Sequence, residues 1–185
     1  MSVELRRITD NDLEQLMNWR NDPAISKYMF TDVKLNMDMQ RAWFAKYKND
    51  DSQIRWIVWV DDVPVGSLYV TNIDHKNFNG EFGVFIARKE LVDLKTLLTL
   101  HWSMYEYIYT HTEINHLYAY NMEGNEAVTR LSRAHGCKVE GKLIQHVYKY
   151  GRFHDVNIVG ITKEQWNEFK KTINFESYKV ENKEQ

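Results

Sequence analysis

The sequence lacks the features that mark several protein classes. It has one cysteine, Cys137, so no disulfide framework can form within the chain and a reducing compartment is expected. No apolar run approaches the roughly 18 residues of a membrane span. The opening "MSVELRRITDND" has no apolar signal core, so a cytoplasmic protein without a membrane partner is expected. Neither sign of charge dominates: 24 Lys and Arg stand against 26 Asp and Glu, a net −2. That argues against a nucleic-acid partner held by bulk charge. Seven histidines occur, none at a His-x-x-His, His-x-x-x-His or Cys-linked spacing, so no metal is expected. No glycine occurs between Gly83 and Gly124.

Apolar residues make up 43% and aromatics 14% of the 185 residues, which predicts a packed globule. No repeat, linker or low-complexity block appears before "SYKVENKEQ". The reading is one domain over residues 1–172 and a polar tail over 173–185, with "SYKVENKEQ" expected to fray.

Val3, Leu5 and Ile8 suggest a first strand. Thr9 with Asp12 forms a capping-box-like start to a helix carrying Leu13, Leu16 and Met17 on one face, and "NDP" at 21–23 breaks it. A second helix is predicted over 36–48. "IRWIVWV" and "VPVGSLYV" read as strands joined by a turn at Asp61–Asp62, and "GEFGVFI" as a third, buried strand. Asp93 suits an N-cap, followed by Leu94, Leu97, Leu98, His101, Met104, Tyr105 and Ile108 at helical spacing. His101 on this face reads as a hydrogen-bonded core residue, and "WSMYEYIY" as core and rim. "INHLYAY" is the next strand. Asn125 begins a helix with an inner face of Val128, Leu131 and Ala134, and Gly136 stops it. "EGKLIQHVYKYGRFHDVNIVGI" reads as a long hairpin turning at Gly151, and "TKEQWNEFKK" as a closing helix.

This order, with "NEAVTRLSRAHGC" at 125–137 and "EGKLIQHVYKYGRFHDVNIVGITKEQW" at 140–166, resembles the GNAT acetyltransferase superfamily. The second stretch is similar to the C-terminal hairpin of the branch that includes ribosomal-protein N-acetyltransferases. "WRN" at 19–21, with Met29 and Phe30 following, resembles the N-acetyltransferases of pseudaminic acid biosynthesis, which act on a UDP-linked amino sugar. The resemblance implies an α+β fold. Its mixed, mostly antiparallel sheet of six to seven strands would have helices on both faces and a splayed central strand pair. It also implies acetyl-CoA as donor and a primary amine, on a nucleotide-linked sugar, as acceptor; a homodimer is compatible with it.

The resemblance implies the following roles. Backbone groups of Val84, Phe85 and Ile86 would pair with the pantetheine arm and hold the thioester oxygen. Lys95 and Thr96 would lie at the pyrophosphate, on the helix N-terminus, and Asn125 would touch the cofactor arm. Glu81 would take the amine's proton, though an edge-of-strand, solvated Glu fits as well. Ser132 stands where many members have a Tyr that protonates the leaving thiolate; a small polar helix residue is the plainer account. Arg20 and Asn21 would hold a substrate diphosphate, unless Arg20 simply pairs at a helix end.

The chain departs from the family at "LVDLKT", residues 91–96, where Arg/Gln-x-x-Gly-x-Gly/Ala is usual. Val92 and Leu94 replace small residues, and Asp93 sets a carboxylate where phosphate would sit. Three readings stay open. The loop still binds CoA with Arg88, Lys89 and Lys95 supplying charge, or the chain is a non-catalytic binding module, or the segment is plain core. A protein N-terminal or small-amine acetyltransferase is the rival within the enzyme class.

Overall fold

A computed structural model describes residues 1–182. The strands are β1 Val3–Arg7, β2 Ile54–Val60, β3 Val63–Asp74, β4 Asn79–Ile86, β5 His116–Met122, β6 Lys138–Lys149, β7 Arg152–Thr162 and β8 Lys179–Val180. The helices are α1 Leu13–Asn21, α2 Pro23–Ser26, α3 Met37–Tyr47, α4 Leu94–His111, α5 Glu126–Ala134 and α6 Lys163–Phe169. All eight strands share one sheet, in the order β6-β7-β5-β4-β3-β2-β1-β8. Neighbours are antiparallel except β4–β5 and β1–β8.

Local chemistry fixes the turns. Asp61 and Asp62 both have positive φ, 46° and 61°, between the paired Val60 and Val63. That is the two-residue hairpin geometry that short polar side chains tolerate. Tyr150 and Gly151, φ 51° and 77°, do the same for β6 and β7. Thr9 and Asp12 form the predicted capping box. Asn36 caps α3 and Asp93 caps α4, each accepting from the backbone N–H three residues on.

Alternation along the strands sorts side chains to two faces. Phe82, Leu117, Ala119, Trp56 and Val58 join the main core with Met104, Tyr105 and Ile108 of α4 and Trp166 of α6. Ile57 and Phe85 face the other way, onto Leu16 and Trp19 of α1 and Phe44 and Tyr47 of α3. Helices therefore cover both faces.

Three expectations are corrected. Leu94 is 64% exposed, while Thr96, Thr99, Leu100 and Ser103 make the buried face of α4 with His101. Leu94 lies two residues before Thr96, about 200° around the helix. In α5 the inward position belongs to Ser132; Ala134, two residues on, is exposed. The tail over 173–182 is not frayed. Ile173, Phe175, Tyr178 and Val180 pack on the main core, and Lys179 and Val180 pair with Glu4 and Leu5. The Trp56 indole N–H donates to the Glu181 carbonyl at 2.9 Å, and the Arg7 backbone N–H to the Glu181 carboxylate at 2.8 Å. These contacts make an eighth strand where six to seven were expected. Residues 183–185 of the expected tail lie outside the described residues.

The central pair does splay. β4 pairs with β3 from Asn79 to Ile86, but with β5 only through Asn79–His116, Gly80–Leu117 and Glu81–Tyr118. Beyond those positions β5 continues beside β7 to Met122, and β4 continues beside β3. The two strands part immediately after Glu81.

Candidate active site

In an antiparallel pair, alternate residues turn their backbone N–H and C=O away from the partner strand. Along β4 those outward groups would serve the next strand, but beyond Glu81 none is paired there. The parted stretch over residues 82–86 thus offers main-chain donors and acceptors to an extended ligand. Val84 and Ile86 pack their side chains on the main core, and Phe85 meets Trp19 edge-on at 6.1 Å. Their side chains are committed to packing, and their backbone is what the gap presents.

Glu81 stands at the vertex of the gap, half-buried, on the face of α1 and α3. One carboxylate oxygen accepts from the Asn72 side-chain amide at 2.8 Å. Burial raises its pKa, opposed by that hydrogen bond and by the Arg55 charge. Its cross-strand neighbour is Tyr118, whose ring lies 5.5 Å from Tyr120. Burial, then Tyr120 and Glu81, raise the Tyr118 pKa. Phe30 approaches Tyr120 at 6.5 Å and brings the loop after α2 to this wall.

Two arginines approach the same face. The Arg55 guanidinium lies 4.7 Å above the Tyr69 ring and 5.5 Å from Trp43, and donates through Nε to Gln53 at 2.7 Å. Burial lowers its pKa, and Arg20 adds to that. Tyr69 lies flat over β4 because Gly83 is there; a Cβ on Gly83 would stand 2.5 Å from the ring. Arg20 reaches Thr31 at 3.4 Å, and its Nε is buried with no partner. The charges of Asp50 and Glu81 act on Arg55. Asn21 does not face this space freely. Its side chain donates to the Leu35 carbonyl at 2.9 Å and accepts from the Leu35 N–H at 2.8 Å, bracing the approach to α3.

The far end of the gap tests the phosphate expectations. The Asp93 carboxylate accepts from the Thr96 N–H at 2.7 Å, and hydrogen bonding by the Thr96 side chain, then by its backbone, holds its pKa low. The Thr96 side chain is 1% exposed, so neither group of Thr96 is presented to a ligand. Leu91 and Val92 pack partly on the core rather than into the gap. Lys95 is exposed in the first turn, whereas Arg88 is tied to Glu90 at 2.6 Å. Beyond β5 a cleft lies between Met122, Gly124, Asn125, Arg130, Arg133 and Asn157. The Asn125 side chain makes no cap hydrogen bond and lines that cleft. The residues thus fit a pantetheine arm along β4, with exposed Lys95 in the first turn of α4 and Arg130 and Arg133 on the cleft beyond β5 as cations for an anion, and one helix amide fewer.

Ser132 is 3% exposed. Its hydroxyl donates to the Val128 carbonyl at 2.9 Å and sits 3.4 Å from the Asn121 amide. It is spent on holding α5 against β5. His101 is a core residue at Leu97's carbonyl, 2.8 Å away, stacked on His135 at 4.1 Å.

The structure thus gathers Glu81, the 84–86 backbone and Arg20, and separates Asn21, Thr96 and Ser132 from open space. Sequence reading missed Arg55, Tyr69, Asn72 and Tyr118. Alternation in β2, β3 and β5 could have placed Arg55, Tyr69 and Tyr118 on Glu81's face. Nothing in "VTNID" shows that Asn72 turns toward Glu81.

Comparison with known proteins agrees with this geometry. A family model described as an acetyltransferase (GNAT) domain matches residues 2–138. An uncharacterized protein of Methanocaldococcus jannaschii is 32% identical over 90 residues, 46% of this chain but 18% of its own length. Spermidine N(1)-acetyltransferase of Escherichia coli K12 is 23% identical over 169 residues, covering 89% of this chain and 88% of that protein. Acetyltransferase PseH of Campylobacter jejuni is 24% identical over 132 residues, 70% and 80% of the two chains. A crystal structure of Vibrio cholerae spermidine N-acetyltransferase with CoA and spermine superposes with a TM-score of 0.84 at 22% identity, covering 90% of this chain and 98% of that one.

Proposed function

The chain belongs to the GNAT acetyltransferase family, acetyl-CoA-dependent N-acetyltransferases of amines, and on that premise we propose that it acetylates a small-molecule primary amine held beside Glu81. The observation that carries this is the end of β4–β5 pairing at Glu81, which sets a half-buried carboxylate at the mouth of a backbone-lined gap.

Acetyl-CoA supplies an activated acetyl group on a thioester. The backbone of Val84, Phe85 and Ile86 holds the pantetheine arm as an added strand. An N–H at Val84 or Phe85 faces the acetyl oxygen and stabilises the charge that develops there. Lys95, with Asn125 and the α5 arginines, holds the phosphate end. Glu81 accepts the proton of the acceptor ammonium, so that the neutral nitrogen attacks the acetyl carbon. Burial keeps its pKa high enough to matter. Ser132 is set aside as acid, because its hydroxyl is bonded within α5; the thiolate departs without it.

Arg20, whose buried Nε has no hydrogen-bond partner among the described residues, favours an acceptor that also carries an anion, as a nucleotide-linked amino sugar does. A polyamine is the second reading. It is favoured by the spermidine acetyltransferases among the relatives and by the Tyr118, Tyr120 and Phe30 wall, which suits an ammonium.

Thiol release from acetyl-CoA, followed with spermidine, a UDP-linked amino sugar and an N-terminal peptide, tests the reading. Turnover with the amino sugar, and a Glu81→Gln rate reduced by about a hundredfold or more at low pH, is expected. Turnover only with the peptide, or Glu81→Gln rates equal to wild type at every pH, would contradict it.

A further inference from the structure

Between β3 and β4 the ladder runs Thr71–Glu81 and then Asp74–Asn79. Two residues on β3, Asn72 and Ile73, therefore oppose the single Gly80, which is a β-bulge. Strict alternation would send Asn72 to the same face as Val70, the core face beneath α4. Instead Ile73 takes the buried place and Asn72 is turned outward, at φ +51°. That left-handed conformation costs a non-glycine residue energy, least for Asn and Asp. The result is the 2.8 Å hydrogen bond from its amide to the Glu81 carboxylate. Bulges that re-aim a side chain gather beside active sites.

We propose that Asn72 is a positioning residue for the acetyl transfer: the bulge aims its amide at one Glu81 oxygen, so that the other is directed toward the acceptor amine. This rests on Glu81 acting as the base. The remaining charged or titratable groups facing Glu81 or its neighbours are Arg55 of β2, Tyr69 and Asp74 of β3, Tyr118 of β5 and Arg20 of α1. Of these, none hydrogen-bonds the Glu81 carboxylate. Among the described residues Asn72 alone hydrogen-bonds that carboxylate, which fixes its rotamer and, with the Arg55 charge, favours its ionised form.

Asn72→Gly is the discriminating variant, because glycine adopts the left-handed backbone without strain and removes only the amide. Asn72→Asp keeps the turn and sets carboxylate against carboxylate. Carbon-13 NMR titration of the Glu side chains, with Glu81 identified by its absence in Glu81→Gln, needs no acceptor. The Glu81 titration should move to higher pH in Asn72→Gly and further in Asn72→Asp, at an unchanged melting temperature for Asn72→Gly. With the amine that turns over above, kcat/KM of Asn72→Gly should fall by about fivefold on the acid limb and recover at high pH. A Glu81 titration unmoved in Asn72→Gly overturns the assignment while leaving the base role intact. If the titration moves but Glu81→Gln is as active as wild type, the base role fails, and the role of Asn72 in the reaction fails with it.

Discussion

At the scale of single residues, burial decides protonation in two places of opposite character. Glu81 is half-buried and still reachable, and burial raises its pKa in the direction the proposed base needs. His101 and His135 are buried and stacked, with Tyr105 sharing a 2.8 Å hydrogen bond with His135. Burial pushes His101 down to about 4 and His135 lower than its usual range. The unfolded chain protonates His101 near 6.5 and the folded chain does not, so its contribution to stability is complete above that pH. It is lost as pH falls toward 4, by about 3 kcal/mol for His101 alone. Urea midpoints measured from pH 7 to pH 4 should fall steeply, and His101→Gln should flatten that slope; an unchanged slope would show His101 uninvolved. Helical spacing made His101 legible as core. For Ser132 the small polar helix residue is the plainer expectation, and its hydroxyl's bond to the Val128 carbonyl agrees with it, although the motif alone does not show that bond. Asn72 was not legible, since a bulge is set by how two distant strands pair.

At the scale of elements, the acceptor wall depends on one lysine. Lys149, with its side chain fully buried, donates to the carbonyls of Ser26 at 2.9 Å and Met29 at 2.5 Å and pairs with Asp32 at 2.9 Å. It ties the end of β6 to the loop that carries Phe30 to Tyr120. Lys149→Met removes the ammonium and leaves buried carbonyls without a donor, a loss of about 2 kcal/mol. Amide hydrogen exchange over residues 22–36 should rise, with KM for the amine raised and acetyl-CoA affinity kept. Unchanged exchange there would dismiss the clamp. Most elements were readable from periodicity and caps: Asp93 and Thr162 cap as their residue types suggest. The buried face of α4 was less so, because Thr96, Thr99 and Ser103 pack close where larger apolar residues were sought.

At the scale of the whole molecule, the sheet is closed at one edge by β8. By composition the tail reads as polar, and its few apolar residues, Ile173, Phe175, Tyr178 and Val180, are spaced too sparsely to read as a strand. Removing residues 173–185 uncovers the core surface these residues cover, Trp102 and Trp166 included, and frees the Trp56 indole N–H, so a loss of about 3 kcal/mol is expected, or about 10 °C in melting temperature. A truncated chain as stable as the full one would show the strand to be ornamental. Within this sheet β4 and β5 stay apart beyond Glu81 and Tyr118. The most direct test is a crystal structure grown with acetyl-CoA. The account predicts the pantetheine arm lying along residues 82–86 with the acetyl group near Glu81; a cofactor bound elsewhere, or β4 and β5 paired along their full length, would contradict it.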